Sequence, residues 1–146
     1  MNKIKLKIVS LERDVLSEEV EQISLDTKMG QITILPNHIP LVAQLVPGEI
    51  VIKKSENEEE VMAVSGGFVE VSGSGVVVLA DTAEYLKEID EARALEAKKR
   101  AEELLKEKQV DSEEYAMISA KLQKELARLK VARRRKKSEM GIYTGK

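Results

Sequence analysis

The chain changes character at Tyr85. Before it, β-branched residues are interrupted at short intervals by glycine, proline or asparagine; after it, Ala, Glu, Lys, Leu and Arg dominate. One packing solution does not serve both compositions, because strands repeat every second residue and helices about every 3.6. The switch divides the 146 residues into a strand-rich domain over 1–86 and a helical unit over 87–137. Residues 138–146 are left as a tail expected to be disordered. A chain of this size holds one domain with a modest core and one appendage.

In the first unit, Ile4, Leu6 and Ile8 alternate with lysines, the pattern of a half-buried strand. Further strands are predicted over 20–25, 31–35, 49–53, 61–65, 68–71 and 76–80. Turn chemistry separates them at Met29-Gly30, Pro36-Asn37, Pro47-Gly48, the polar stretch 54–60, Gly66-Gly67 and Gly73-Ser74-Gly75. Many short strands at this spacing predict an antiparallel β-sandwich or flattened barrel. Val76-Val77-Val78-Leu79 is apolar throughout, which predicts a central strand covered on both faces.

The second unit predicts a two-helix antiparallel hairpin. Asp90 is placed to cap the first helix, and Ile89 to staple onto Ala94. That helix should reach about Lys108, with an apolar stripe at Ala94, Ala97, Ala101 and Leu104. Gln109-Val110-Asp111 breaks it, and Asp111 with Glu114 forms a capping box for a second helix. Tyr115, Ile118, Leu122, Leu126 and Leu129 are its expected apolar face. Small alanines opposite large aliphatics permit close approach. Two helices bury little area, so the hairpin should be marginal and able to leave its docking site. From Arg133 onward the apolar face is lost and fraying is expected.

Charge follows the same division. Residues 1–86 carry 7 Lys/Arg against 14 Asp/Glu, a net of −7; residues 87–146 carry 17 against 12, a net of +5. Residues 120–146 alone hold 10 against 2, a net of +8. A basic helical arm of this kind suits a nucleic-acid-binding adaptor, the alternative reading. The acidic first unit and four aromatic residues (Phe68, Tyr85, Tyr115, Tyr143) argue against nucleic acid as a partner.

Catalytic machinery is scarce. With no cysteine and the single histidine His38, neither a thiolate zinc site nor a His/Cys metal site can be assembled. No G-x-S-x-G elbow or phosphate-binding G-x-x-x-x-G-K-[ST] loop occurs. The expectation is a non-catalytic protein with no required cofactor and no metal. No apolar run is long enough to span a bilayer, and the opening residues read as a strand, not a secretion signal.

Four segments, in order and in register, carry a resemblance. They are Gly30-Gln31-Ile32-Thr33-Ile34-Leu35-Pro36-Asn37-His38-Ile39-Pro40-Leu41; the Pro47-Gly48 turn with Ile50 and Ile52; Ala63-Val64-Ser65-Gly66-Gly67-Phe68-Val69-Glu70-Val71; and Val78-Leu79-Ala80-Asp81 leading into Ile89-Asp90-Glu91-Ala92-Arg93-Ala94. From residue 1 to about Ala132 the chain resembles the epsilon-subunit family of bacterial F-type ATP synthases. The resemblance implies a ten-stranded sandwich followed by a regulatory helical hairpin, in a rotor subunit that couples ion-driven ring rotation to ATP synthesis. It implies the gamma subunit and the c-subunit ring as partners of the sandwich. It also implies contact with the alpha and beta subunits when the hairpin extends and inhibits ATP hydrolysis. Gln31, Pro36, Asn37, His38, Ile39 and Pro40 fall on the family's rotor-contact segment. The implied location is the cytoplasmic side of a bacterial cell membrane, as a peripheral protein.

Some family members bind one regulatory ATP through an Ile/Leu-Asp-x-x-Arg-Ala motif, which Ile89-Asp90-Glu91-Ala92-Arg93-Ala94 matches. The accompanying positions fall on Glu84, Arg100, Lys124 and Arg128. Lys124 stands where the motif has arginine, and offers a point charge in place of a bidentate fork. The resemblance therefore implies Glu84, Asp90, Arg93, Arg100, Lys124 and Arg128 as the ATP-sensing set.

Overall fold

The computed structural model describes residues 2–107 and 111–139. Nine strands come first: β1 (Ile4–Ser10), β2 (Asp14–Val20), β3 (Gln22–Thr27), β4 (Gly30–Ile34), β5 (Leu41–Ser55), β6 (Glu58–Val64), β7 (Gly67–Ser72), β8 (Gly75–Ala80) and β9 (Ala83–Tyr85). A single 3-10 turn at Leu86–Glu88 leads to α1 (Glu91–Glu107) and α2 (Ser112–Glu139).

β5 organises the sandwich. Its first part, Leu41 to Leu45, pairs with β7, while Gly48 to Ser55 pairs with β6 and Gln22 to Leu25 pair with Ile50 to Lys53. The strand therefore crosses from one layer, β2-β1-β8-β7, to the other, β4-β3 with β6-β9. Strands that change sheets by bending are a known way to build such corners. Pro47-Gly48, expected to be a turn, lies inside this one strand. Counting its two halves separately recovers the ten strands that the resemblance implies. The β1–β8 pair is parallel, the other pairs antiparallel.

Side chains alternate as the period-two signal requires. Ile8, Ile23, Leu25, Ile34, Ile50, Ile52, Met62, Val69 and Val78 are fully buried between the layers. Two expectations are corrected here. The predicted 20–25 strand is two, because Val20 ends β2. That strand escaped notice since it is an edge strand with few buried side chains and a polar sequence. β8 is central, between β1 and β7, but is covered on one face only: Val76 and Val78 are buried while Leu79 is 54% exposed.

Gly67 is fixed by space as well as by φ. It sits at φ 134°, and a Cβ there would lie 2.0 Å from the Leu79 carbonyl oxygen. The β6–β7 turn can thus tuck against β8 only with glycine.

The hairpin lies on the sandwich through α2, which touches β5 and β6, while α1 lies against α2. Asp90 Oδ1 accepts hydrogen bonds from the Ala92 and Arg93 N–H groups at 3.1 and 3.3 Å, and Asp111 Oδ1 from Glu114 N–H at 2.8 Å. Both caps stand where the sequence puts them. Lys108, Gln109 and Val110 lie outside the described residues, as do 140–146 of the expected tail. The stripe of α1 is Ala94, Ala97 and Ala101, continued by half-buried Leu105 and not by Leu104, which is 44% exposed. Leu105 falls nearer the line of the three alanines at about 100° per residue.

α2 departs more. Tyr115 is exposed at 56%, Leu126 sits at the rim, and the buried set is Glu125, Ala127, Leu129, Val131 and Ala132. The helix has two covered sides, not one: Ala127 and Val131 pack with Ala63 on the sandwich, and Ile118, Leu122 and Leu129 lie on the opposite side. Nor does it stop at the basic run, since it continues to Glu139. Ile89, expected to staple onto Ala94, packs into the Ala63–Ala127–Val131 contact.

Candidate functional site: the seat of the hairpin

Glu84, in β9, is where sandwich and hairpin meet. Arg128 of α2 donates from Nε and Nη2 to both Glu84 carboxylate oxygens, and from Nη1 to Glu125 Oε1 at 3.1 Å. Lys124 Nζ stands 4.0 Å from the same Glu84 carboxylate. Burial pushes the Glu84 carboxyl up, but the hydrogen bonds and charge of Arg128, with smaller contributions from Lys124 and Arg13, hold it below its ordinary range. The bidentate fork suits arginine better than lysine. Glu125 is buried, and its Oε2 has no hydrogen-bond partner among the described residues.

Beside this pair a groove of about 510 Å³ opens, lined by Glu88, Asp90, Arg93, Glu96, Ala97, Arg100 and Arg128. Four of the six residues proposed for ATP sensing therefore share one wall: Asp90, Arg93, Arg100 and Arg128. Glu84 and Lys124 lie behind Arg128 and do not line the groove. Arg93 and Arg100 share a face because they are two turns apart. Arg100 Nη2 is 2.6 Å from Glu96 Oε1, and Asp90 is occupied in capping α1. Three guanidiniums thus line the groove beside the Ala97 methyl, together with three carboxylates, Glu88, Asp90 and Glu96. Glu96 and Glu125 are the residues that sequence reasoning missed. Their signal was present as pairs at i, i+4 and i, i+3 with Arg100 and Arg128. Glu88 carried no such signal.

The rotor-contact set divides. Asn37 adopts φ 64°, turning the chain between the two prolines, and His38 N–H donates to the Leu35 carbonyl at 3.2 Å. His38 Nδ1 lies 2.7 Å from the Ile39 carbonyl oxygen, so that nitrogen carries the proton and donates. Pro36, Asn37 and His38 line a cleft of about 410 Å³ with Lys3, Lys5 and the β7–β8 turn. Ile39 and Pro40 are exposed beside it. Gln31 stands at the far end of β4, paired with Asp26, and is not part of that cleft.

On the open face of the first layer, Phe68 and Leu79 are register partners, 53% and 54% exposed, and Val42, 70% exposed, lies two residues from the partner of Phe68. This apolar face is one the sequence reading did not single out, because it took the Val76–Leu79 strand as covered on both sides.

Comparison with known proteins agrees with both halves of the chain. Residues 3–86 match the family description "ATP synthase, Delta/Epsilon chain, beta-sandwich domain", and residues 87–133 match "ATP synthase, Delta/Epsilon chain, long alpha-helix domain". An ATP synthase epsilon chain of Dehalococcoides mccartyi is 48% identical over 137 residues, covering 94% of this chain and 97% of the relative. One from Nitrosococcus oceani is 42% identical, covering 89% of this chain and 92% of the relative. Among solved structures, a chain of the Euglena gracilis mitochondrial ATP synthase superposes with a TM-score of 0.68 at 23% identity, covering 97% of this chain and 82% of that one. A chain from the Tetrahymena thermophila mitochondrial central stalk and c-ring gives 0.54 at 12% identity, covering 88% and 97%; both show a shared fold. No described helix is long and apolar enough to cross a membrane. With the sandwich, the hairpin and relatives of nearly equal length all in agreement, the chain belongs to the epsilon-chain family of ATP synthases.

Proposed function

We propose that the protein is a non-catalytic central-stalk subunit. It couples ion-driven rotation of the c ring to ATP synthesis in the catalytic head and restrains ATP hydrolysis through its C-terminal helices. The gamma subunit and the c ring are the partners of the sandwich, and the alpha and beta subunits those of the extended hairpin. It works as a peripheral protein on the cytoplasmic side of a bacterial cell membrane. The observation that carries this reading is the way α2 is seated. Its apolar contact is made by Ala63, Ala127 and Val131 with half-buried Val61, Leu86 and Ile89, and the rest is ion pairs. Such a contact is small enough to open without unfolding the sandwich. The exposed Phe68–Leu79 face and the Pro36–Pro40 loop supply surface for rotor partners.

Removing residues 111–146 from the assembled enzyme should raise its ATPase rate at low ATP. An unchanged rate would refute the inhibitory role. The basic arm supports the adaptor alternative less well than the charge count did, since Arg128, Lys130 and Arg134 are paired with carboxylates of the sandwich.

The groove of Asp90, Arg93, Arg100 and Arg128 is proposed as a regulatory ATP site that holds the hairpin down when ATP is plentiful. Arg93 and Arg100 would meet the phosphates. Arg128 would have to share its charge between the ligand and Glu84, and Lys124 would contribute only as a distant point charge. Titration calorimetry with ATP on the whole chain, with Arg93→Ala as the control, tests it. Heat that the substitution abolishes supports the site; no heat at millimolar ATP, or equal binding by the variant, excludes it.

A further inference from the structure

At about 3.6 residues per turn, Ala127 and Val131 form the centre line of the sandwich-facing side of α2. Lys124 and Arg128 fall on one flank of that line, Lys130 and Arg134 on the other. The first flank meets Glu84. The second meets a different carboxylate pair: Lys130 Nζ lies 2.8 Å from Asp26 Oδ2, and Arg134 Nη1 pairs with Glu49 Oε1. The apolar contact is thus bracketed by ion pairs along both edges.

The second edge is prepared on the sandwich side. Asp26 Oδ2 also accepts the Glu49 N–H at 3.2 Å, so its carboxylate is held in place before a lysine arrives. Gly48 leaves the room, since a Cβ there would lie 2.4 Å from Asp26 Oδ2. The Asp26 and Glu49 side chains are 16% and 12% exposed in the docked state, while Lys130 and Arg134 keep 55% and 46%, so salt can reach both pairs. The charges of Glu59 and Asp26 add to that of Glu49 around Arg134. Arg134 also lies just past the family match, which ends at residue 133.

We infer that Arg134, where α2 continues beyond residue 133, is a clasp for the docked hairpin. Arg134, with Lys130, fastens the last turns of the helix to the Asp26–Glu49 edge of the sandwich and shifts the balance against release. A helix detaches most easily from its end, where fewest contacts must break together. Pinning that end places an ion pair at the first step of peeling, while Arg128–Glu84 holds the middle. Arg134 is then part of the restraint and not of a free arm. This inference rests on the reading of the hairpin as detachable.

The chain has no cysteine, so two labels can be placed cleanly, at Glu56→Cys in the exposed β5–β6 turn and Lys121→Cys on the exposed side of α2. Distance distributions between spin labels on the full chain then count docked and released molecules. Glu49→Gln and Arg134→Gln should each raise the released-to-docked ratio about 1.5- to 5-fold. The double variant should do no more than either alone, because both remove the same pair. The differences should vanish between about 0.05 and about 1 M salt as screening shortens. If Arg128→Ala releases the hairpin but neither clasp variant changes the ratio, the clasp is refuted and detachment stands. If no variant and no salt concentration produces a released population, detachment itself fails and the clasp with it.

Discussion

Between the two layers of the sandwich, Ile8, Ile23, Leu25, Ile50 and Ile52 are fully buried; where α2 meets the sandwich, the buried side chains are Ala63, Ala127 and Val131. Each large aliphatic is worth about 1.5–3 kcal/mol on burial, whereas a methyl side chain contributes about one CH₂ unit, ~0.8 kcal/mol. The first region is held by interlocked volume, the second by a thin apolar contact and directed charge. That difference is what the proposed release of the hairpin would use. In the second contact Val131 is the one fully buried large aliphatic, joined by half-buried Val61, Leu86 and Ile89, and specificity is left to ion pairs, which water and salt can replace.

The largest effect should come from the interlocked half. Ile50→Ala leaves a cavity between the layers and should cost about 2–5 kcal/mol, read as a fall in the melting temperature of the full chain. A loss confined to the hairpin signals would break the distinction between the two regions. Gly67→Ala comes next, because the Leu79 carbonyl blocks its Cβ and the positive φ strains any side chain. A destabilisation of about 1–3 kcal/mol is expected, again in the sandwich transition.

Arg128→Ala sharpens the contrast from the other side. It removes the fork on Glu84 and leaves Glu125 without its cation. Amide exchange in α2 should accelerate as if docking were weakened by about 1–2 kcal/mol, with the sandwich core unaffected. Asp90→Ala should act more locally, loosening the first turn of α1 by about 1 kcal/mol with no change in the β-strand amides.

The smallest expected effect is on acidification. Glu84 has its carboxyl held below the ordinary range in the docked state, so docking is favoured by this group above the ordinary carboxylate pKa. The contribution is lost as pH falls through the lowered value, because the docked state must then take up the proton later than the free one. Release of the hairpin should therefore rise on the acid side, below about pH 4.5, and stay flat near neutrality. A Glu84→Gln chain should have lost that acid-dependent step.

Much of this was readable beforehand where the signal is local. The caps Asp90 and Asp111 form bonds with N–H groups two or three residues away, and the alternation in β1 depends only on its own residues. Asp90, Arg93 and, two turns on, Arg100 line one groove, as the spacing of residues on one helix face allows. The two-part architecture, the strand and helix periods and the caps follow from the residues alone, because each rests on spacing within a few residues. That Pro47-Gly48 is a bend within one long strand comes from the folded chain, since the pairing of β5 with β7, β3 and β6 joins residues far apart in the chain. The fold alone decided that α2 is covered on two sides. It alone turned Lys124 toward Glu84, and Lys130 and Arg134 toward Asp26 and Glu49, because a charge in sequence has no partner until folding brings one within a few ångströms.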